Sequence, residues 1–331
     1  MPNFNQLFTA PVRLLAPMEG LTDPLMRQIL TQIAYDLGVQ YDWTVSEFIR
    51  VTHYPVPAHI FYKFVPELHP HLGNNGNTKS GTPVHIQLLG NNSDMLAQSA
   101  MTAIALGAKA IDLNFGCPAK TVNNHKGGAV LLDEPDTIYT IIKTVRGAVP
   151  TNVPVSAKIR LGYTNSDKLS DIAGAVVHGG ASWLVVHART KTQGYKPPAY
   201  WDKIAPLTKL GIPIIANGEI WTKQHANHCM AQANTPHLML GRGAVTRPDL
   251  IATIKGKSPM DWQTLCRYQG QFLDDTTTNT KGLIGRYKQW LAMLTKGYSE
   301  AYPLWQHIKT LKSLDEIKRA VSNNRQMTND K

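Results

Sequence analysis

The sequence predicts a (β/α)8 barrel followed by a smaller all-helical C-terminal domain, and three observations carry that prediction. Eight apolar segments rich in Val, Ile and Leu recur at fairly even intervals up to residue 243. Most of the stretches between them have helical periodicity. Beyond Pro259 helical patterns continue without intervening strands. Near-continuous apolar runs fit strands covered on both faces, as in a parallel sheet. Eight strand-helix units in about 250 residues is the size of a closed barrel, and a chain of 331 residues leaves room for an appendix. The expected domains are therefore residues 1–258 and 259–331.

In chain order the strands fall in VRLLAPM (12–18), WTVSEFI (43–49), PVHIQLLG (83–90) and AIDLNF (110–115). PVSAKIRLG (154–162), SWLVVHA (182–188), IPIIANG (212–218) and HLMLGRG (237–243) complete the set. Helices are expected over 93–106, 134–149, 168–178 and 222–233. One connection departs from the pattern: after Pro66 the segment ELHPHLGNNGNTKSGT reads as an exposed loop with nothing to pack. Two histidines within it, His69 and His71, do not complete a metal site and are read as solvated, so no metal is expected. In the C-terminal part, Leu283, Ile284, Tyr287, Trp290, Leu291 and Leu294 recur at helical spacing and form one buried stripe. Arg286 and Lys288 fall away from its centre. Lys309, Lys312, Lys318 and Arg319 add charge farther along.

The three cysteines, Cys117, Cys229 and Cys266, are odd in number and have no CxxC pair, which argues against a disulfide framework or a structural zinc site. The opening MPNFNQLFTAPVR has neither the basic start nor the apolar stretch of a signal peptide, and no apolar run is long enough to span a membrane. A cytoplasmic protein without a membrane is expected. Its net charge of +11 favours a polyanionic partner, nucleic acid first, because Lys and Arg gain affinity for phosphates by releasing counterions. Residues 251–331 hold 13 Lys and Arg against 7 Asp and Glu, so the last quarter carries over half of that excess.

Barrel chemistry collects at the carboxyl ends of the strands. Cys117 lies there, just past AIDLNF at a Gly-Cys-Pro turn. It is either a reactive group or a small apolar core residue. The ends of the seventh and eighth strands commonly build a phosphate site. Here they supply Gly218, Gly241 and Gly243, which let the backbone come close, and Arg242, which adds charge. Gln87, Asn114, Lys158 and His187 sit at equivalent depth on four other strands. Buried polar groups cost free energy unless paired, so this set points to a polar ligand, and a planar flavin such as FMN has the hydrogen-bonding edges to satisfy it. Lys158 could instead snorkel outward or form a Schiff base.

Taken together, APMEGLTD (16–23), LNFGCPAKTV (113–122), KIRLG (158–162), VVHARTKTQGY (185–195), ANGEIW (216–221) and GRGA (241–244) resemble the tRNA-dihydrouridine synthases. SEFIRV (46–51), RTKTQGY (189–195) and GRYKQWL (285–291) are most similar to the bacterial C subfamily, which modifies uridine 16 of the D-loop. The resemblance implies an FMN-binding barrel, a helical tRNA-binding domain, and reduction of the uridine C5=C6 bond with electrons from NADPH or NADH. It implies that Pro17, Met18 and Glu19 lie against the flavin, and that Gln87, Lys158, His187, Asn217, Gly218, Glu219, Gly241 and Arg242 hold its ring and phosphate. Asn114 would face the uracil, which receives hydride at C6 from the reduced flavin and a proton at C5 from Cys117. A thiol of ordinary pKa, about 8.5, is mostly protonated at neutral pH and can serve as that acid untuned. Arg50, Tyr195, Arg286, Lys288 and Lys309 would contact RNA. Phe115 departs from the family, many of whose members carry Cys or Met there, and could alter packing beneath Cys117. No obligate protein partner is expected, and the chain is expected to be a monomer because RNA must cover much of its surface. The competing readings are an FMN enzyme acting on a small pyrimidine, as dihydroorotate dehydrogenases do, a Schiff-base lyase using Lys158, and a non-catalytic RNA-binding barrel.

Overall fold

Every named strand runs parallel to its neighbours in the computed structural model, which describes residues 4–326. The strands are β1 (Arg13–Leu15), β2 (Trp43–Val45), β3 (Ile49–Arg50), β4 (Val84–Leu89), β5 (Ile111–Asn114), β6 (Val155–Arg160), β7 (Leu184–His187), β8 (Ile214–Asn217) and β9 (Leu238–Leu240). β1 pairs with β2 on one side and β9 on the other, which closes the barrel. The nine segments occupy eight barrel positions because β2 and β3 both pair with β4. Val45 lies opposite His85 and Ile49 opposite Leu88, so four steps on one chain match three on the other. This one-residue bulge divides the expected 43–49 strand and re-aims its side chains. Glu47 and Phe48 lie within it.

The helices of the barrel are α1 (Pro24–Asp36), α2 (Ala58–Phe64), α3 (Ser93–Ala105), α4 (Lys120–Asn123), α5 (Pro135–Ala148), α6 (Leu169–His178), α7 (Lys223–Ala233), α8 (Arg242–Thr246) and α9 (Leu250–Ile254). Several start where the sequence supplies a cap. Asp23 accepts the Met26 N–H with Pro24 in the first turn, Asn92 accepts from Asp94 and Met95, and Thr222 accepts from His225. Between β7 and β8 the connection is a 3-10 helix, Trp201–Lys209, which contains Pro206. A proline inside an α-helix would remove a hydrogen bond and clash with the preceding turn.

The C-terminal region folds as α10 (Trp262–Leu273), α11 (Thr280–Leu294), α12 (Ala301–Ile308) and α13 (Leu314–Gln326). Its expected stripe is buried at Leu283, Tyr287, Trp290, Leu291 and Leu294, with Ile284 at the margin. These residues share one continuous apolar core with the layer between the barrel strands and helices. A second core fills the barrel's lower interior around Leu14, Trp43, Val45, Trp183, Val185, Ile215 and Met239.

Two expectations need correction. The segment after Pro66 is packed: it forms two short 3-10 turns, Pro66–Leu68 and Pro70–Leu72, and buries Glu67, Leu68, Thr78, Ser80 and Thr82. Glu67 is tolerated inside because Arg27 of α1 meets its carboxylate at 2.9 Å and bonds the Phe64 carbonyl as well. A buried charge needs such a partner, and this one lies forty residues away in the chain. The eighth strand also ends earlier than 243. At Gly241 the backbone leaves the extended region and turns directly into α8.

Candidate active site

A cavity of about 450 Å³ opens at the carboxyl ends of the strands. Its wall gathers fourteen of the expected site residues. Pro17, Met18 and Glu19 follow β1; Gln87 belongs to β4; Asn114 and Cys117 come from β5 and its turn; Lys158 belongs to β6; and His187 and Tyr195 come from β7 and its loop. Asn217, Gly218 and Glu219 close β8, and Gly241 and Arg242 follow β9. Arg50, Arg286, Lys288 and Lys309 do not line it. Lys309 and Arg50 are exposed, and the Lys288 ammonium donates to the carbonyls of Lys309 and Leu311 at 2.9 and 2.6 Å.

The residues around Cys117 form a directional relay. The backbone N–H groups of Gly116 and Cys117 can only donate, and both reach Asn114 Oδ1, at 2.9 and 2.6 Å. The amide of Asn114 must then donate through Nδ2 to Gln87 Oε1 at 2.8 Å. Gln87 Nε2 in turn donates to Asp112 Oδ2 at 2.6 Å, while Ser156 donates to the other carboxylate oxygen. Asp112 is buried, and burial raises its pKa against the hydrogen bonds of Gln87 and Ser156 and the charge of Lys158. Both amide orientations are thus fixed, and each NH2 keeps a second N–H beyond the relay.

Cys117 is itself buried. Burial pushes its thiol pKa up, while the Ala119 N–H and the charges of Arg160 and Lys158 pull the other way. A protonated thiol is the result at neutral pH, fit to donate a proton rather than attack. Gly128 closes the turn over it, with φ of +66° and an added Cβ only 2.7 Å from the Cys117 carbonyl oxygen. Phe115 points away into the apolar core.

Lys158 reaches Asn217 Oδ1 at 3.2 Å, and Asn217 is anchored to the Met239 carbonyl at 2.8 Å. Burial lowers the lysine pKa to about 8 and Arg160 adds to that effect, while Asp112 opposes it. The ammonium is therefore still mostly present at pH 7. His187 is held neutral, well below its ordinary pKa, by burial and then by Arg160, Lys158, Arg189 and Arg242. Its ring Nδ1 is buried with no hydrogen-bond partner. Gly218, at φ +112°, lets the backbone pass this ring, since a Cβ there would sit 3.0 Å from it.

At the rim Glu219 takes ion pairs from the buried Arg189 and, at 3.6 Å, from Arg242, and accepts the Trp221 indole N–H at 2.7 Å. These partners hold its carboxyl below the usual range against the upward effect of burial. The Arg242 guanidinium lies between the rings of Tyr195 and Trp221, 4.9 and 5.1 Å from their centroids.

Sequence reasoning passed over Arg160, Arg189, Phe48, Trp221, Asp112 and Gln289. Arg160 could have been found by period: two residues beyond Lys158 on a strand, it shares that residue's face. Its guanidinium joins the Gly116 carbonyl, at 2.7 Å, to the Thr190 and Gly194 carbonyls, tying the cysteine turn to the loop that carries Tyr195. Among the described residues no group of His, Cys, Asp and Glu is placed to hold a metal, and no helix is long and apolar enough to cross a membrane.

With this geometry in hand, similarity to known proteins is specific. The dihydrouridine synthase family matches residues 14–328. The chain is 46% identical over 315 residues to the tRNA-dihydrouridine(16) synthase of Pseudomonas syringae pv. tomato, covering 92% of this chain and 96% of that one. It is 42% identical to the protein of the same name from Neisseria meningitidis serogroup B over 93% of each chain. With that of Escherichia coli O157:H7 the identity is also 42%, over 93% and 96%. A solved structure of a variant of NCR from Zymomonas mobilis superposes with a TM-score of 0.51 over 78% of this chain and 90% of that one, and at 14% identity it bears on the fold alone.

Proposed function

Since this chain belongs to the dihydrouridine synthase family, we propose that it reduces the C5=C6 bond of a tRNA D-loop uridine, at position 16, to 5,6-dihydrouridine. FMN is the cofactor and NADPH or NADH the reductant in this reading. The observation that carries it is Cys117: a protonated thiol on the cavity wall, its turn locked by the Asn114–Gln87–Asp112 relay, with a cation and a neutral imidazole on neighbouring strands.

Three features support FMN as the occupant. The volume of about 450 Å³ falls within the range of small-ligand pockets. His187 offers a buried Nδ1 that awaits a partner. Gly241, Arg242 and Gly243 bring the start of α8 onto the cavity wall, the missing Cβ of Gly243 letting it pack against the Ile220 carbonyl oxygen, which a Cβ would meet at 2.0 Å. FMN, when bound and reduced, supplies hydride to the pyrimidine.

This chain's residues do the rest. Pro17, Met18 and Glu19 wall one side, Gln87, Lys158, His187 and Asn217 meet polar edges, and Gly218, Glu219, Gly241 and Arg242 frame the phosphate end. A positive Lys158 stabilises negative charge on an electron-rich ring. Asn114 directs its remaining N–H toward a pyrimidine carbonyl, and Cys117 gives its proton to C5 of the base. Arg160, by fixing the Gly116 carbonyl, keeps that thiol in place. Tyr195, half exposed at the rim and flanked by the Arg160 and Arg242 guanidiniums, stands where an extruded base enters.

Residues 259–331 serve as the helical tRNA-binding domain in this reading, and Arg50, Lys288 and Lys309 add positive charge toward the RNA backbone. The base must leave its stack to reach the cavity, at a cost of about a few kcal/mol, which such contacts offset. The protein acts as a cytoplasmic monomer without an obligate protein partner. The test is NAD(P)H oxidation by FMN-loaded protein with unmodified tRNA, free uridine or orotate as acceptor. Turnover on tRNA alone is expected. Equal turnover on a free pyrimidine would replace this reading with a small-molecule one.

A further inference from the structure

Arg286 lies on α11 in the C-terminal region, yet its guanidinium is committed to the barrel. Nε donates to Asp23 Oδ2 at 2.7 Å and one terminal nitrogen to the Leu21 carbonyl at 2.8 Å. The other terminal nitrogen bonds the Gly20 carbonyl and Gln289 Oε1. A fork occupied in this way has little left for a phosphate. All of its partners but Gln289 belong to the β1–α1 loop, the one that presents Pro17, Met18 and Glu19 to the cavity.

That loop is held on its other side by Glu47, which accepts the Gly20 N–H at 2.5 Å from within the bulge between β2 and β3. Thr22 ties it internally, accepting from the Met18 N–H at 2.8 Å and donating to the Ala16 carbonyl at 3.1 Å. Gly20 adopts φ +65° and is exposed, so without outside anchors the tip has little to fix it. The same helix touches the adjoining stretch of the cavity wall, beyond β9, as well. Gln289 lines it, and the Trp290 indole donates to the Val245 carbonyl of α8, the helix that begins at Arg242. α11 thus contacts two adjoining stretches of the wall, those that follow β1 and β9.

We propose that Arg286 is a positioning residue for the β1–α1 loop, so that the C-terminal helical region helps to build the cofactor site and is more than an RNA-binding appendage. The cofactor part of this inference rests on FMN occupying the cavity. The loop-bracing part does not.

The test compares the full-length protein with Arg286→Met and Arg286→Lys, using three readouts: hydrogen exchange of backbone amides 17–23 without flavin, the FMN dissociation constant, and the tRNA dissociation constant. Arg286→Met is expected to speed exchange in 17–23 while leaving α10 to α13 protected. It should weaken FMN roughly ten- to hundredfold, the scale of one or two lost hydrogen bonds to a charged group. Arg286→Lys is expected to recover part of both, since an ammonium can reach Asp23 but cannot fork to two carbonyls. Unchanged exchange and FMN affinity with weakened tRNA binding would overturn the proposal and leave Arg286 an RNA contact only. Faster exchange throughout the C-terminal helices would also overturn it, as the mark of a general strut. If the wild type binds no FMN, the cofactor reading fails by itself, and the exchange of 17–23 still decides the brace.

Discussion

The two ends of this barrel each bury a histidine, and they do so for different reasons. At the lower end His85 stacks on Trp43 at 5.0 Å and lies near Trp183, in a plug completed by Phe8. Burial drives its pKa to about 3 and Lys109 adds a little. At the upper end His187 is depressed by burial too, then by four cations that line or support the cavity. Both rings are neutral and both have an unpartnered Nδ1. One sits among aromatic rings that fill space; the other faces a polar cavity with a thiol and a lysine on its wall. A buried histidine with a depressed pKa therefore marks function only where its neighbours are polar, converging and open to a cavity.

The sharpest way to break this contrast is to cut one residue at each end. Cys117→Ala should slow single-turnover uridine reduction by about 10²–10⁴-fold, the usual worth of a general acid, while FMN affinity holds. At the other end Trp183→Ala should cost about 3–5 kcal/mol in denaturant unfolding, as for other large buried aromatics, with the rate per folded molecule unchanged. If activity tracked stability in both variants, the two ends would not be functionally distinct.

Gly218→Ala sharpens the comparison at the cavity. The new Cβ would meet the His187 ring at 3.0 Å in a backbone conformation that disfavours side chains, costing about 1–3 kcal/mol. Weaker FMN binding, read by flavin fluorescence, should accompany a lower Tm.

A smaller effect separates ligand binding from stability by pH. Lys158 has its pKa lowered from 10.5 to about 8, so between those values the unfolded chain holds a proton that the folded one has released. Stability therefore gains from Lys158 as pH rises through that window. FMN affinity should move the opposite way, falling as the ammonium is lost above about pH 8. Lys158→Met should flatten the Lys158 contribution to both slopes. Asp112→Asn, which removes a charge that supports the ammonium, should shift the loss of affinity to lower pH. Parallel slopes would contradict the assignment.

Much of this was legible in the chain. Apolar runs located the strands, and their ordinal positions brought fourteen expected residues to one cavity, because residues at the ends of parallel strands converge whatever lies between them. The stripe on α11 was legible from its period. What stayed hidden depends on partners distant in sequence. Glu67 looked like loop because Arg27, which makes its burial tolerable, lies on another element. The bulge at Glu47 and Phe48 is a matter of pairing register against β4, which a single strand's pattern does not encode. Arg286 lies off the apolar stripe and is expected from the resemblance to contact RNA, whereas its guanidinium faces the β1–α1 loop. Asp112 appeared as one more residue of an apolar strand, and only the amide relay gives its carboxylate a purpose.

The most direct test of the account is nucleotide-resolution mapping of dihydrouridine in tRNA that lacks the modification, after incubation with FMN-loaded protein and NADPH, with Cys117→Ala in parallel. Dihydrouridine at position 16 with the wild type and its loss in the variant is the expected result. Full reduction at position 16 by Cys117→Ala, or none anywhere by the flavin-loaded wild type, would contradict it.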